Sequence, residues 1–196
     1  NILTPFSRLV LRKLQEVQKA NLDIATIAPS HGVIWRQNPG QIVEAYPRWA
    51  SGQARERVVI VYETMWGSTA QLAQALAAGV ADEGVEVFLR GLPMAERTDA
   101  VKELLEAKGL LVGSSTHNQR MLLNIAAFMD DLKGLRFARK LGAAFGSHGW
   151  AGGAVPQLEQ DLREAGFDVM VADLAVRWAP NDDDLARARE FGRSFT

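Results

Sequence analysis

The run Val58-Val59-Ile60-Val61-Tyr62-Glu63-Thr64-Met65-Trp66-Gly67-Ser68-Thr69 decides the fold. Its opening is continuously apolar and β-branched, the pattern of a strand covered on both faces of a parallel sheet. A short polar turn follows, holding one glycine and the hydroxyls of Thr64, Ser68 and Thr69. Ala70-Gln71-Leu72-Ala73-Gln74-Ala75-Leu76-Ala77-Ala78 then combines high helix propensity with apolar side chains at helical spacing. Strand, hydroxyl turn and helix start together make a place for an anion. The unpaired N–H groups of the first helical turn, the macrodipole and the hydroxyls converge there.

Ser68 or Thr69 as an ordinary N-cap is the plainer alternative. Two features favour a phosphate. Three hydroxyls exceed what a cap needs, and Met65-Trp66 sets large apolar side chains on a loop tip, where a flat ring could stack. No Gly-Lys-Ser/Thr follows, and the turn is not Gly-x-Gly-x-x-Gly. A mononucleotide is favoured, with flavin mononucleotide (FMN) the first candidate.

Outward from this run, apolar stretches at 85–89, 110–113, 141–146 and 169–174 predict strands two to five. Helical patterns at 70–83, 96–107, 121–132 and 155–165 separate them. A last helix over 182–195 starts behind Asn181-Asp182-Asp183-Asp184, acid suited to a helix N-terminus. The expected fold is α/β: a doubly wound, five-stranded parallel sheet of flavodoxin-like order 2-1-3-4-5.

Residues 1–50 read differently. Thr4-Pro5-Phe6-Ser7 enters a helix carrying Leu9, Val10, Leu11, Leu14 and Val17; 21–28 alternates as a short strand. Pro29-Ser30-His31-Gly32 then forms a loop, and 41–49 predicts a second helix. Two helices and one strand cannot close a core, so this partial α/β segment is expected to lean on other chain. Ser51 to Arg57 reads as a polar linker, giving domains 1–50 and 58–196.

The 196 residues are 47% apolar and 23% charged, an ordinary globular composition. A net charge of −1 argues against a nucleic-acid partner. The absence of cysteine excludes disulfides, thiolate metal sites and a thiol nucleophile, and fits a reducing compartment such as the cytoplasm. No apolar run reaches the roughly 20 residues of a membrane span, and the start lacks a signal-peptide layout. The chain opens on Asn1, as a fragment or processed piece would.

In such a sheet the ligand sits beyond the carboxyl ends of the strands, where strands one and three diverge. The loops leaving strands three and four should then be chemically unusual. Gly113-Ser114-Ser115-Thr116-His117-Asn118-Gln119-Arg120 is dense in hydroxyl and amide groups; Gly146-Ser147-His148-Gly149-Trp150-Ala151-Gly152-Gly153 is glycine-rich with an aromatic tip. The loops after strands two and five lack this character. The expected roles follow. Thr64 to Thr69 hold the phosphate, with Met65 and Trp66 near the ring. Ser114, Ser115, Thr116, His117 and Asn118 offer polar groups to its pyrimidine edge. Ser147, His148, Gly149, Trp150 and Gly152 offer stacking and close backbone approach. No nucleophile is paired with a base, so the edge suits a redox ring rather than hydrolysis. No paired metal-ligand spacing surrounds the three histidines. His31, directly after a strand end, stays open as a metal ligand.

Ile27-Ala28-Pro29-Ser30-His31-Gly32-Val33-Ile34-Trp35-Arg36, Thr64-Met65-Trp66-Gly67-Ser68-Thr69, Gly113-Ser114-Ser115-Thr116-His117-Asn118 and Gly146-Ser147-His148-Gly149-Trp150 together resemble the flavodiiron proteins, over nearly the whole chain. That resemblance implies a metallo-β-lactamase-like domain with a di-iron site joined to an FMN-binding flavodoxin-like domain. It implies reduction of dioxygen or nitric oxide, electrons from rubredoxin or a flavin/NAD(P)H reductase, and a head-to-tail homodimer. Residues 1–50 would be the end of the iron domain, and His31 would match its last iron-ligating histidine. The family's other iron ligands, a His-x-Glu-x-Asp-His-type cluster with a further histidine and an aspartate, are not among these residues, so this chain alone is not expected to reduce either gas at iron.

Ser115 stands where the family often has proline and His148 where it often has tyrosine; Gln119-Arg120 is bulkier than expected, and Arg120 near the ring would favour an anionic reduced flavin. Two other functions compete: a stand-alone NAD(P)H-dependent flavin reductase, and a cofactor-free interaction module on a reused fold.

Overall fold

The computed structural model describes residues 3–137 and 139–196. These divide into two compact units, residues 3–53 and the rest from 54 onward.

The larger unit is built on β1 (Arg55–Glu63), where Val58 to Val61 are completely buried. Helices on both faces explain why four apolar residues run in succession rather than alternate. The remaining elements follow in order: α3 (Ser68–Asp82), β2 (Glu86–Leu92), α4 (Arg97–Leu104), β3 (Ala107–Ser115), α5 (Leu123–Leu135), β4 (Leu141–His148), α6 (Ala154–Glu164), β5 (Asp168–Val169), β6 (Ala175–Arg177) and α7 (Asp182–Ser194). The sheet is parallel in the order β2-β1-β3-β4-β5, with β6 also paired to β4. This is the expected doubly wound α/β fold.

Each face of the sheet carries its own core. Val59, Val61, Leu110 and Val112 pack with Ile125, Phe128, Met129 and Leu158 on one side. Val58, Ile60 and Leu111 pack with Leu72, Leu76, Phe145 and Phe195 on the other. On the second face α3 and α7 lie backbone to backbone: a β-carbon at Gly79 would overlap the Arg189 carbonyl, and one at Gly192 the Leu76 carbonyl. Asn181 and Asp184 close a reciprocal capping box at the start of α7, at 2.9 and 3.1 Å.

Two expectations fail in this unit. Arg55 to Arg57, read as linker, are the first three residues of β1; their charges are neutralised by neighbours, Arg55 pairing with Glu106, Glu56 with Lys108, and Arg57 with Glu86 and Glu103. Residues 169–174, read as one strand, are interrupted. Asp173 adopts a left-handed φ of 48°, so pairing to β4 lapses after β5 and resumes at β6. An edge position has one neighbour and tolerates such a break more readily than a central strand.

The smaller unit holds a 3-10 turn (Thr4–Phe6), α1 (Ser7–Lys19) and α2 (Gly40–Ser51), which ends on left-handed Gly52. The strand expected over 21–28 is absent. Asn21 is left-handed, and only Ile27 pairs, in a single antiparallel bridge to Trp35. Among the described hydrophobic residues of this unit only Ala45 is buried, and Phe6, Leu9 and Val17 are exposed. No helix among the described residues is long and apolar enough to cross a membrane.

Candidate functional site

Because the strands are parallel, the loops leaving β1, β3 and β4 rise from one edge of the sheet. At that edge Ser115 and Ser147 are register partners on adjacent strands, and Thr69 on the first turn of α3 lies against both. Thr69 Oγ1 is 2.9 Å from Ser147 Oγ and 3.0 Å from Ser115 Oγ; the two serine hydroxyls are 3.4 Å apart. All three residues are buried. Ser115 Oγ also accepts from the Met65 N–H at 3.3 Å, tying the first loop to β3. Gly67, at φ 93°, makes the turn into α3, and its N–H donates to Thr64 Oγ1 at 3.0 Å.

The start of α3 has no side-chain cap and no acidic residue in its first turn. Its first amides therefore keep their partial positive charge unopposed, and hydroxyls from Thr64, Ser68 and Thr69 stand beside them. The helix starts that follow β3 and β4 are occupied instead. Glu63 accepts from Asn124 N–H at 3.1 Å, Asn124 Nδ2 at 2.7 Å and Ile125 N–H at 3.4 Å at the head of α5. Thr116 Oγ1 accepts from the Ala154 N–H at the head of α6, at 3.2 Å.

The expected site residues separate by what they touch. Thr64, Gly67, Ser68, Thr69, Ser115 and Ser147 gather at the α3 start. Ser114 is fully buried and turned inward; its hydroxyl accepts from the Leu122 N–H and donates to the Ser115 carbonyl, both at 2.8 Å. His117 and Arg120 exchange both backbone hydrogen bonds at 2.9 Å across Asn118 (φ 49°) and Gln119 (φ 60°). That tight turn packs on Gly153, where a β-carbon would meet the Gln119 carbonyl. Met65 and Trp66 are exposed at the first loop, Trp66 by 91%, and Trp150 is exposed by 87% on the third. His148 Nδ1 is buried without a hydrogen-bond partner, and Gly152 lies against its ring.

The family described as Flavodoxin matches residues 60–192. The chain belongs to the flavodoxin family. This flavodoxin-family chain is 49% identical over 196 residues to a protein of Moorella thermoacetica named nitric oxide reductase, covering all of the chain and 49% of that protein. Its fold superposes on the rubredoxin oxygen:oxidoreductase of Desulfovibrio gigas with a TM-score of 0.90 at 30% identity, over 98% of this chain and 49% of that one. The flavodiiron protein of Giardia intestinalis gives 0.87 at 29% identity, over 98% and 48%. The chain thus spans about half the length of the relatives it matches.

The flavodoxin domain is an FMN-binding domain, and the residues present fit that group. The bare α3 start with its hydroxyls suits a phosphate, two open indoles suit a flat ring, and the glycines of the third loop leave it room.

Sequence reading missed two residues of this edge. Glu63 was hidden inside the strand pattern, and only the approach of α5 gives it work. Trp178 lies beyond a break in the edge strand; its ring stands 5.1 Å from that of Trp150 at 79°. In the smaller unit His31 is exposed and borders an apolar depression with Trp35, Ile42, Val43 and Tyr46. Among the described residues no three histidine, cysteine, aspartate or glutamate side chains cluster to hold a metal ion.

Proposed function

We propose that this chain is the FMN-carrying, electron-transferring part of a flavodiiron-type nitric oxide or oxygen reductase. The observation that carries the reading is the uncapped, acid-free start of α3 with its hydroxyls, at the same sheet edge as the loops that carry the exposed indoles of Trp66 and Trp150. Ser68, Thr69 and the first amides of α3 would take the phosphate, supported by Thr64, Ser115 and Ser147. Met65, Trp66, Gly149 and Trp150 would border the ring, with Thr116, His117, Asn118, His148 and Gly152 around its edge. Ser114 acts behind them by fixing the approach to α5. Bound FMN would supply redox chemistry that no side chain here can provide.

The same reading takes residues 1–50 as the end of a metallo-β-lactamase-like domain, joined to the flavin domain just ahead of β1. His31 would be this chain's single contribution to a di-iron site whose other ligands lie elsewhere. Rubredoxin or a flavin reductase would be the donor, as the name of the D. gigas relative supports. A homodimer and a cytoplasmic setting complete the proposal, the latter supported by the absence of cysteine.

Titration of the purified chain with FMN, followed by quenching of flavin fluorescence, tests the reading. Stoichiometric, tight quenching is expected. A protein that leaves FMN fluorescence unchanged would sink the electron-transfer role.

A further inference from the structure

The edge strand re-forms as β6 only to end in a backbone conformation unusual for its residue. Trp178 has φ 64°, a left-handed state that bulky side chains rarely adopt and that concentrates at functional sites. Four contacts hold it there or depend on it. The Trp178 N–H donates to the His148 carbonyl at 2.8 Å. Arg177 Nε donates to the Gly149 carbonyl at 3.2 Å. The indole of Trp178 covers Gly149 so closely that a β-carbon there would lie 3.0 Å from the ring. Its edge-to-face partner is Trp150.

Trp150 is 87% exposed and Trp178 is 52% exposed, so neither ring is placed by a core. Each is placed by the other and by the close approach over Gly149. We propose that Trp178 is a positioning residue of the flavin site: it clamps the Gly149–Trp150 tip and fixes the angle at which Trp150 meets the ring. This rests on the FMN reading above. The clamp lowers the ordering cost that a free loop would meet on binding.

The left-handed backbone supplies an unusually clean variant. Trp178→Gly removes the ring and suits φ 64° better than tryptophan does, so the chain should melt no lower than the parent. In the FMN-free chain, the Trp150–Trp178 exciton couplet in far-ultraviolet circular dichroism should vanish. FMN should then bind roughly fivefold more weakly, while Trp178→Phe should bind within about twofold of the parent. In a Trp150→Ala background, Trp178→Gly should have no further effect on affinity, because it acts through Trp150.

Parent-like FMN affinity in Trp178→Gly with the couplet lost would overturn the clamp and leave the flavin reading intact. An equal loss in both backgrounds would overturn it as well. A parent chain that shows the couplet yet binds no FMN would remove the flavin reading and this role with it. Should Trp178→Gly fail to fold, Trp178→Asn takes its place with the same expected losses, because asparagine removes the ring and tolerates the left-handed backbone.

Discussion

Thr69 Oγ1, completely buried at the start of α3, lies 2.9 Å from Ser147 Oγ at the end of β4, 78 residues further along the chain. With Ser115 they form a closed set of hydroxyls directly beneath the helix start that the flavin phosphate is proposed to occupy. Thr69→Val keeps the shape and removes one hydroxyl, leaving both serines short of a partner. Urea denaturation should show a loss of about 1–2 kcal/mol, and FMN titration a fall in affinity of about tenfold. An unchanged affinity would show that the hydroxyl set holds the sheet together without serving the phosphate.

Glycine positions can be ranked by what surrounds them. Gly79→Ala places a β-carbon inside the Arg189 carbonyl, and neither α3 nor α7 can retreat without breaking its contacts with the sheet. A destabilisation of about 2–3 kcal/mol is expected by urea denaturation. Gly134, in α5, has nothing within 4 Å of its would-be β-carbon; Gly134→Ala should gain about 0.5–1 kcal/mol from helix propensity. Equal effects at the two sites would contradict the close α3–α7 packing.

Acid stability should report on the same helix pair. Arg189 and Arg193 donate to Asp82 at 2.8–3.0 Å, and their guanidinium groups hold its carboxyl well below the usual carboxylate range. A depressed carboxyl contributes stability that is fully present above its unfolded pKa and lost as pH falls through the folded one. Melting temperatures taken downward from about pH 4 should therefore drop more steeply in the parent than in Asp82→Asn. Parallel curves would mean the ion pairs add nothing.

The alkaline side should be governed by Lys140. Its Nζ donates to the Ala107 carbonyl at 2.6 Å and the Leu105 carbonyl at 3.2 Å, with no carboxylate at hand, and burial lowers its pKa from 10.5 to about 8. Here the unfolded chain binds the extra proton, so stability should rise between about pH 8 and pH 10.5, by at most on the order of 3 kcal/mol. Lys140→Met should flatten that rise relative to the parent in urea denaturation at successive pH values. The slope is the readout, since methionine also leaves two carbonyls without a donor.

Much of the fold was legible because its signals are local. Four buried β-branched residues at 58–61, a glycine turn and an alanine-rich helix specify one βα unit whatever surrounds them, and five repeats of the alternation leave little freedom in sheet order. The hydroxyl-rich and glycine-rich loops at one edge were legible for the same reason. Arg55 to Arg57 were misread because their charge suggested a linker; partners on β2 and α4, distant in sequence, make them strand.

The sequence by itself determined the α/β alternation, the parallel sheet and the composition of the three loops, since propensity and periodicity act within a few residues. Only the tertiary structure decided that Glu63 would cap α5 and that Ser114 would turn inward. It alone set the lapse of the edge strand at Asp173, which brings Trp178 onto Trp150. Glu63 and Asn124, 61 residues apart, and Trp150 and Trp178 meet at a few ångströms only when the sheet assembles, and Ser114 meets Leu122 across a loop; no local preference encodes such meetings.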